Sequence, residues 1–73
     1  MKKEVTIMRT KILELLAERG IKKSQMARDM DITHQYLNMI IKGQYDGSYK
    51  FWRNFKNKYN ISDEEIELYK EMR

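Results

Sequence analysis

The chain has 73 residues, no cysteine and no proline, and a formal net charge of +4. That length holds one small domain burying about 60% of its unfolded surface, and without cysteine it has neither a disulfide nor a thiolate metal site to support it. No stretch can span a bilayer, and no secretion-signal core follows the basic start at Met1–Lys3, because Thr6 interrupts Val5, Ile7 and Met8 and Arg9 closes them; a cytoplasmic protein is expected.

Residues 1–4 are expected to fray. The first helix is predicted at about residues 6–19, where Met8, Ile12, Leu15 and Leu16 recur at helical spacing, with Val5 packing at its start and Gly20 able to cap it in the left-handed conformation. A short second helix, about 23–30, carries Met26, Ala27 and Met30 on one face. Asp31 and Ile32 form a tight turn. Thr33 then suits the N-cap of a third helix, about 34–42, whose inward residues are Leu37, Ile40 and Ile41 and which Gly43 ends. The segment from Gly43 to Ser48 reads as a loop. Ser48 can cap a fourth helix through about Tyr59, with Trp52, Phe55 and Tyr59 as its buried stripe. Ser62 to Glu65 spell a capping box, which opens a fifth helix to about Met72 with Ile66, Leu68, Tyr69 and Met72 apolar. The expected fold is all-α: a compact bundle of about five short helices in one domain spanning residues 1–73.

Charge is unevenly spread. Residues 1–60 carry thirteen Lys and Arg against six Asp and Glu, a net +7, whereas residues 61–73 carry two against five, a net −3. A basic body with an acidic end points to an anionic partner on one side. Two short helices joined by a tight turn form a helix-turn-helix unit, whose second helix lies in the DNA major groove with its N-terminal residues at base edges. With Leu37 inward, the outward arc of the third helix holds Gln35, Asn38, Met39 and Lys42, flanked by His34 and Tyr36, with no acid among them. Gln and Asn can pair bidentately with adenine, Lys suits guanine or phosphate, and Met39 can meet a thymine methyl. An ordinary solvated face would more usually carry Glu–Lys pairs at i, i+4.

From Gly20 to about Ile66 the chain resembles the lambda-repressor-like helix-turn-helix family, the Xre or Cro type. Gly20-Ile21 fits the family's opening pair, Met26-Ala27 its Leu-Ala pair, Asp31-Ile32-Thr33 its Gly-Val-Ser turn, Leu37 and Ile40 its buried aliphatics, and Gly43 its closing glycine. Tyr59-Asn60-Ile61-Ser62 is similar to the Leu-Gly-Val-Ser junction before the last helix. The resemblance implies a repressor of the phage or mobile-element kind. It implies base-reading by His34, Gln35, Tyr36, Asn38 and Met39. Phosphate contacts would come from Lys22, Lys23, Thr33, Lys42, Gln44 and Lys50. Several positions depart from the pattern. Lys22 and Lys23 replace the second helix's usual Ser/Thr cap and Gln, where their charge opposes the helix dipole unless a phosphate docks there. Asp31 replaces the turn glycine and must carry its left-handed backbone. Leu16 and Ile41 stand where many members pair a buried Arg with a Glu, a joint apolar exchange that a packed core tolerates. Gly47 stands where the family often has proline, which implies a more mobile loop.

Other chemistries find little support. His34 is the only histidine, so a zinc site is not expected, and no enzyme activity or cofactor is. Asp63, Glu64 and Glu65 crowd a helix's first turn, where acids belong. The stripe of Trp52, Phe55 and Tyr59 reads as core and not as a base-stacking platform, while Tyr45 and Phe51 lie off it as partly exposed contact residues. One recognition helix touches too few base pairs to be selective, so a homodimer with recognition helices about 34 Å apart is expected. Its pairing surface would be Leu68 and Met72, with Phe51 at the edge. The alternative reading is a protein-interaction module on the same fold, acting on a partner regulator; the basic recognition face favours double-stranded DNA.

Overall fold

Residues 7–72 are described by the computed structural model. Five helices follow one another over them: α1 (Thr10–Arg19), α2 (Lys23–Asp29), α3 (His34–Ile41), α4 (Tyr49–Tyr59) and α5 (Asp63–Lys70). No strand occurs among the described residues, and none of these helices is long and apolar enough to cross a membrane. The expectations for Val5, Thr6 and residues 1–4 fall outside the described residues.

Local chemistry sets most of the helix ends. Thr33, Ser48 and Ser62 each accept a hydrogen bond from the backbone N–H three residues on, at Tyr36, Phe51 and Glu65, over 3.0–3.1 Å. The Glu65 side chain answers to the Ser62 backbone, completing the capping box. Gly20 closes α1 at φ 66°, as the sequence implied. Two non-glycine residues take the same left-handed conformation, Asp31 at φ 58° between α2 and α3 and Asn60 at φ 55° after α4. Asp and Asn bear that backbone at least cost among residues with a Cβ.

Sixteen hydrophobic residues form one core cluster, to which every helix contributes. α4 supplies Phe51, Trp52, Phe55 and Tyr59. Phe55 meets Trp52 edge-on with centroids 5.8 Å apart, and lies 5.3 Å from both Tyr59 and Tyr69 of α5. Phe51 is only 3% exposed, so it is not a surface contact residue. The stripe of α4 is wider than Trp52, Phe55 and Tyr59 alone, because α3 overlies it through Tyr36, whose ring meets Phe51 edge-on at 6.1 Å. Leu16 and Ile41 are both buried and apolar.

Among the described residues one guanidinium is nevertheless buried, that of Arg9, which is 5% exposed. Its Nε donates to the carbonyl of Lys70 at 3.1 Å, and its Nη1 donates to those of Ile40 at 2.7 Å and Tyr45 at 3.2 Å. Its backbone N–H donates to the carbonyl of Ile41 at 2.7 Å. Lys70 ends α5, and Ile40 and Ile41 end α3. Arg9 thus caps the negative ends of two helix dipoles at once. The Trp52 ring lies under its guanidinium at 5.6 Å. An ion pair with Asp46 spans 3.6 Å, but that carboxylate is 99% exposed. Exposed pairs are worth about 0–1 kcal/mol, against about 1.5–3 for each charge-assisted bond to a carbonyl, so the carbonyls hold Arg9.

This clasp explains two corrections. α1 begins at Thr10 and not near residue 6, because Arg9 is drawn out of helical geometry (φ −82°, ψ 74°) towards the end of α3. α5 stops at Lys70 and not at Met72, since Arg9 takes the last carbonyl and Glu71 turns extended. Met72 then folds back, and a Cβ on Gly43 would meet its methyl at 2.0 Å. The loop before α4 is tied down too, contrary to the mobility expected from Gly47. Trp52 Nε1 donates to the Asp46 carbonyl at 2.9 Å, and a Cβ on Gly47, at φ 84°, would sit 2.8 Å from that same nitrogen. Glycine is needed there for both backbone and space.

Arg9→Met is expected to lower the unfolding free energy by about 2 kcal/mol or more, because the carbonyls of Tyr45 and Lys70 lose their donor at about 1–3 kcal/mol each, while that of Ile40 keeps the Gly43 N–H at 3.1 Å. Arg9→Lys should recover only a fraction, since a single ammonium cannot reproduce the planar fork. Urea unfolding followed by circular dichroism checks this. A Met variant within about 1 kcal/mol of the parent, the size of one ordinary hydrogen bond, would remove Arg9 from its central place.

Candidate nucleic-acid interface

α2 and α3 pack against each other across the turn made by residues 30–33, with Met26, Ala27 and Met30 on one side and Leu37, Ile40 and Ile41 on the other, all buried. The burial of those three α3 residues turns the rest of the helix outward. His34 and Gln35 are exposed, Asn38 and Met39 are half-buried, and Lys42, the C-terminal cap residue, is exposed. No acidic residue stands anywhere in α3. Four of the five expected base-readers therefore share the outward part of one helix.

Tyr36 stands apart from them. It is half-buried and packed against the core, with its ring 6.1 Å from Phe51 and 5.4 Å from Tyr45. Hydrogen bonding to the Tyr36 phenol and its charge, then burial and the Asp46 carboxylate, push the Tyr45 pKa above the ordinary tyrosine value. Tyr36 is thus a strut between α3 and the loop after it, and Tyr45 is the more exposed member of the pair.

The basic residues bracket α3. Lys22 is exposed at the extended N-cap of α2 and makes no side-chain cap bond, as its chemistry requires. Lys23, expected to be a phosphate contact, reaches across to α3, where its Nζ donates to Oδ1 of Asn38 at 3.3 Å. Lys50 lines an open cleft of about 390 Å³ beside the start of α3, together with Thr33, Tyr36 and Ser48. Gln44 is exposed just beyond the other end, with its N–H bonded to the Met39 carbonyl at 2.9 Å. Thr33 spends its oxygen lone pair on the cap, which leaves its hydroxyl hydrogen to donate.

No family model matches the chain, and comparison with curated proteins and with solved structures finds no match. Among the described residues no group of three or more His, Cys, Asp or Glu is placed to hold a metal ion.

Of the surface proposed for pairing, Leu68 is 39% exposed on α5, while Ile66 and Tyr69 face inward as expected. Phe51 leaves that surface through burial. Met72 lies beyond the end of α5, beside Gly43, and is 39% exposed like Leu68, so both keep the exposure expected of them while Leu68 alone is on the helix.

Tyr45 is expected to titrate above an ordinary tyrosine, and Tyr36→Phe to bring it back down, because the substitution removes both the hydrogen bond and the neighbouring phenolate. Absorbance or ring-proton titration between about pH 9 and 12, around the ordinary tyrosine pKa of about 10, checks this. An unchanged titration in the variant would mean that the strut is not formed in solution.

Proposed function

We propose that this protein is a sequence-specific regulator that binds double-stranded DNA, with α2, the turn and α3 acting as a helix-turn-helix and α3 entering the major groove. The observation that carries the reading is the outward face of α3. It presents an imidazole, two amides, a thioether and a lysine, has no acid, and has Lys23 against its middle and Lys50 beside its start, with Lys22 exposed at the start of α2. A helix that merely faces water gains from paired opposite charges. A helix that reads base edges needs neutral donors and acceptors in its middle and cations at its margins, where the phosphates run. The lambda-repressor-like resemblance adds a repressor role in the cytoplasm of a bacterial host, for a phage or mobile element. The protein acts as a homodimer, with Leu68 of α5 at the pairing surface, because one α3 contacts too few base pairs to discriminate a site.

The roles separate experimentally. Selection from random duplexes is expected to enrich an inverted repeat with half-sites about one helical turn, roughly 34 Å, apart. Gln35→Ala should relax one position in each half-site at a cost of about 1–3 kcal/mol. Lys22→Ala should leave the selected sequence intact, weaken all duplexes alike and flatten the salt dependence of log K by about 0.9. Leu68→Lys should reduce the enriched site to a single half. Binding indifferent to salt, or a Gln35→Ala profile identical to the parent's, would count against the reading.

A further inference from the structure

Lys23 and Asn38 lie 15 residues apart, on different helices, and meet at 3.3 Å between Nζ and Oδ1. The direction of this contact is dictated by chemistry. An ammonium has three donors and no acceptor, so only the oxygen of the Asn38 amide can face it. The amide cannot turn over without setting its own N–H groups against the Nζ charge. With the oxygen held on the α2 side, the NH₂ is left as the free end of the side chain. Asn38 is half-buried within α3, which further limits its rotamers.

Resting on the DNA-binding reading above, we propose that Lys23 is a specificity-determining residue that holds Asn38 with its NH₂ as the reading end, so that Asn38 selects guanine over adenine. A free Asn amide pairs bidentately with adenine, accepting from N6 with its oxygen and donating to N7 with its nitrogen. In the locked amide one of the oxygen's two lone pairs is taken by Lys23, whose charge disfavours a second donor at that oxygen and strengthens the N–H groups as donors. The amide is thereby matched to an edge with acceptors and no donor. Guanine offers two acceptors in the major groove, N7 and O6, whereas adenine offers N7 beside a donating N6. The positive charge of Lys23 behind the amide favours the same edge, since the guanine pair of acceptors is the more electronegative target. Lys23 in this role is a positioning residue. It differs from Lys22, which is exposed, touches no reader and serves the phosphates alone.

The test is a binding-site selection run on the parent, Asn38→Ala, Lys23→Met and Lys22→Met, with helicity measured to confirm that each is folded. Asn38→Ala identifies the base position that Asn38 reads by flattening it. At that position the parent is expected to prefer guanine over adenine by about tenfold or more, as a good side-chain contact to a base edge provides. Lys23→Met should reduce that ratio about tenfold or invert it towards adenine, because the amide is freed to turn. Lys22→Met should keep the ratio and lose only affinity. Adenine preferred by the parent at the Asn38 position, or a ratio unmoved by Lys23→Met, would overturn the proposal while leaving the DNA reading intact. A parent that enriches no sequence would instead overturn both. A readout without DNA accompanies it: the Asn38 side-chain NH₂ resonances of the free protein should shift in Lys23→Met and not in Lys22→Met, and resonances unmoved by Lys23→Met would likewise overturn the lock.

Discussion

The ends of α3 and α5 converge on one side chain from outside either helix. A helix C-terminus leaves carbonyls without intrahelical donors and carries roughly half a negative charge. Burying two such ends together is unfavourable unless a cation with several directed N–H groups sits between them. Arg9 is that cation, with bonds to Ile40, Tyr45 and Lys70 and the Trp52 ring under its plane. It adds side-chain donors to the backbone caps at the two helix ends and holds the start of the loop between α3 and α4. A small domain with a thin core gains more from such a junction than a large one does, because it has little apolar area to lose.

The outward pose of α3 follows from that junction. One end of the helix is set by Thr33 and the other by Arg9, so the arc that carries His34, Gln35, Asn38 and Met39 is presented at a defined angle. Tyr36 braces it against Tyr45 and Phe51, and Lys23 braces it from α2. A reading helix needs this stiffness, since base-edge hydrogen bonds tolerate displacements of only a fraction of an ångström. The acidic residues of the C-terminal segment gather on α5, three of them in its first turn, where they suit the dipole. There the Lys56 ammonium, bonded to Asp63, holds that carboxyl below the usual carboxylate range and ties α4 to α5.

What was legible in the sequence was what is decided within a few residues. The caps at Thr33, Ser48 and Ser62, the left-handed Gly20 and the inward triad of Leu37, Ile40 and Ile41 are all written at spacings of three or four, and the structure follows them. The face of α3 was legible for the same reason. Interactions between distant residues were not. Arg9 bonds residues 31, 36 and 61 positions away, and read locally it was only the charge that closes an apolar run. Its pull shortened α1 and ended α5 early, and so took Met72 off the helix. Periodicity allots α4 one inward stripe and leaves Phe51 outside it, whereas the Tyr36 ring of α3 packs edge-on against Phe51. Periodicity gives Lys23 and Asn38 separate tasks, because it does not tell which residues of two packed helices meet. Their separation of 15 residues is set by the geometry of the turn, and that turn was predicted in kind but not in angle.

The central claim is that the outward face of α3, with the lysines around it, is the surface that meets DNA. Amide chemical-shift mapping on titration with a short mixed-sequence duplex at low salt tests it most directly, since non-specific binding uses the same basic face. The account predicts the largest shifts at residues 33–44 and at Lys22, Lys23 and Lys50, with α5 unaffected and the shifts reversed by added salt. Shifts centred on α5, or none at any duplex concentration, would contradict it.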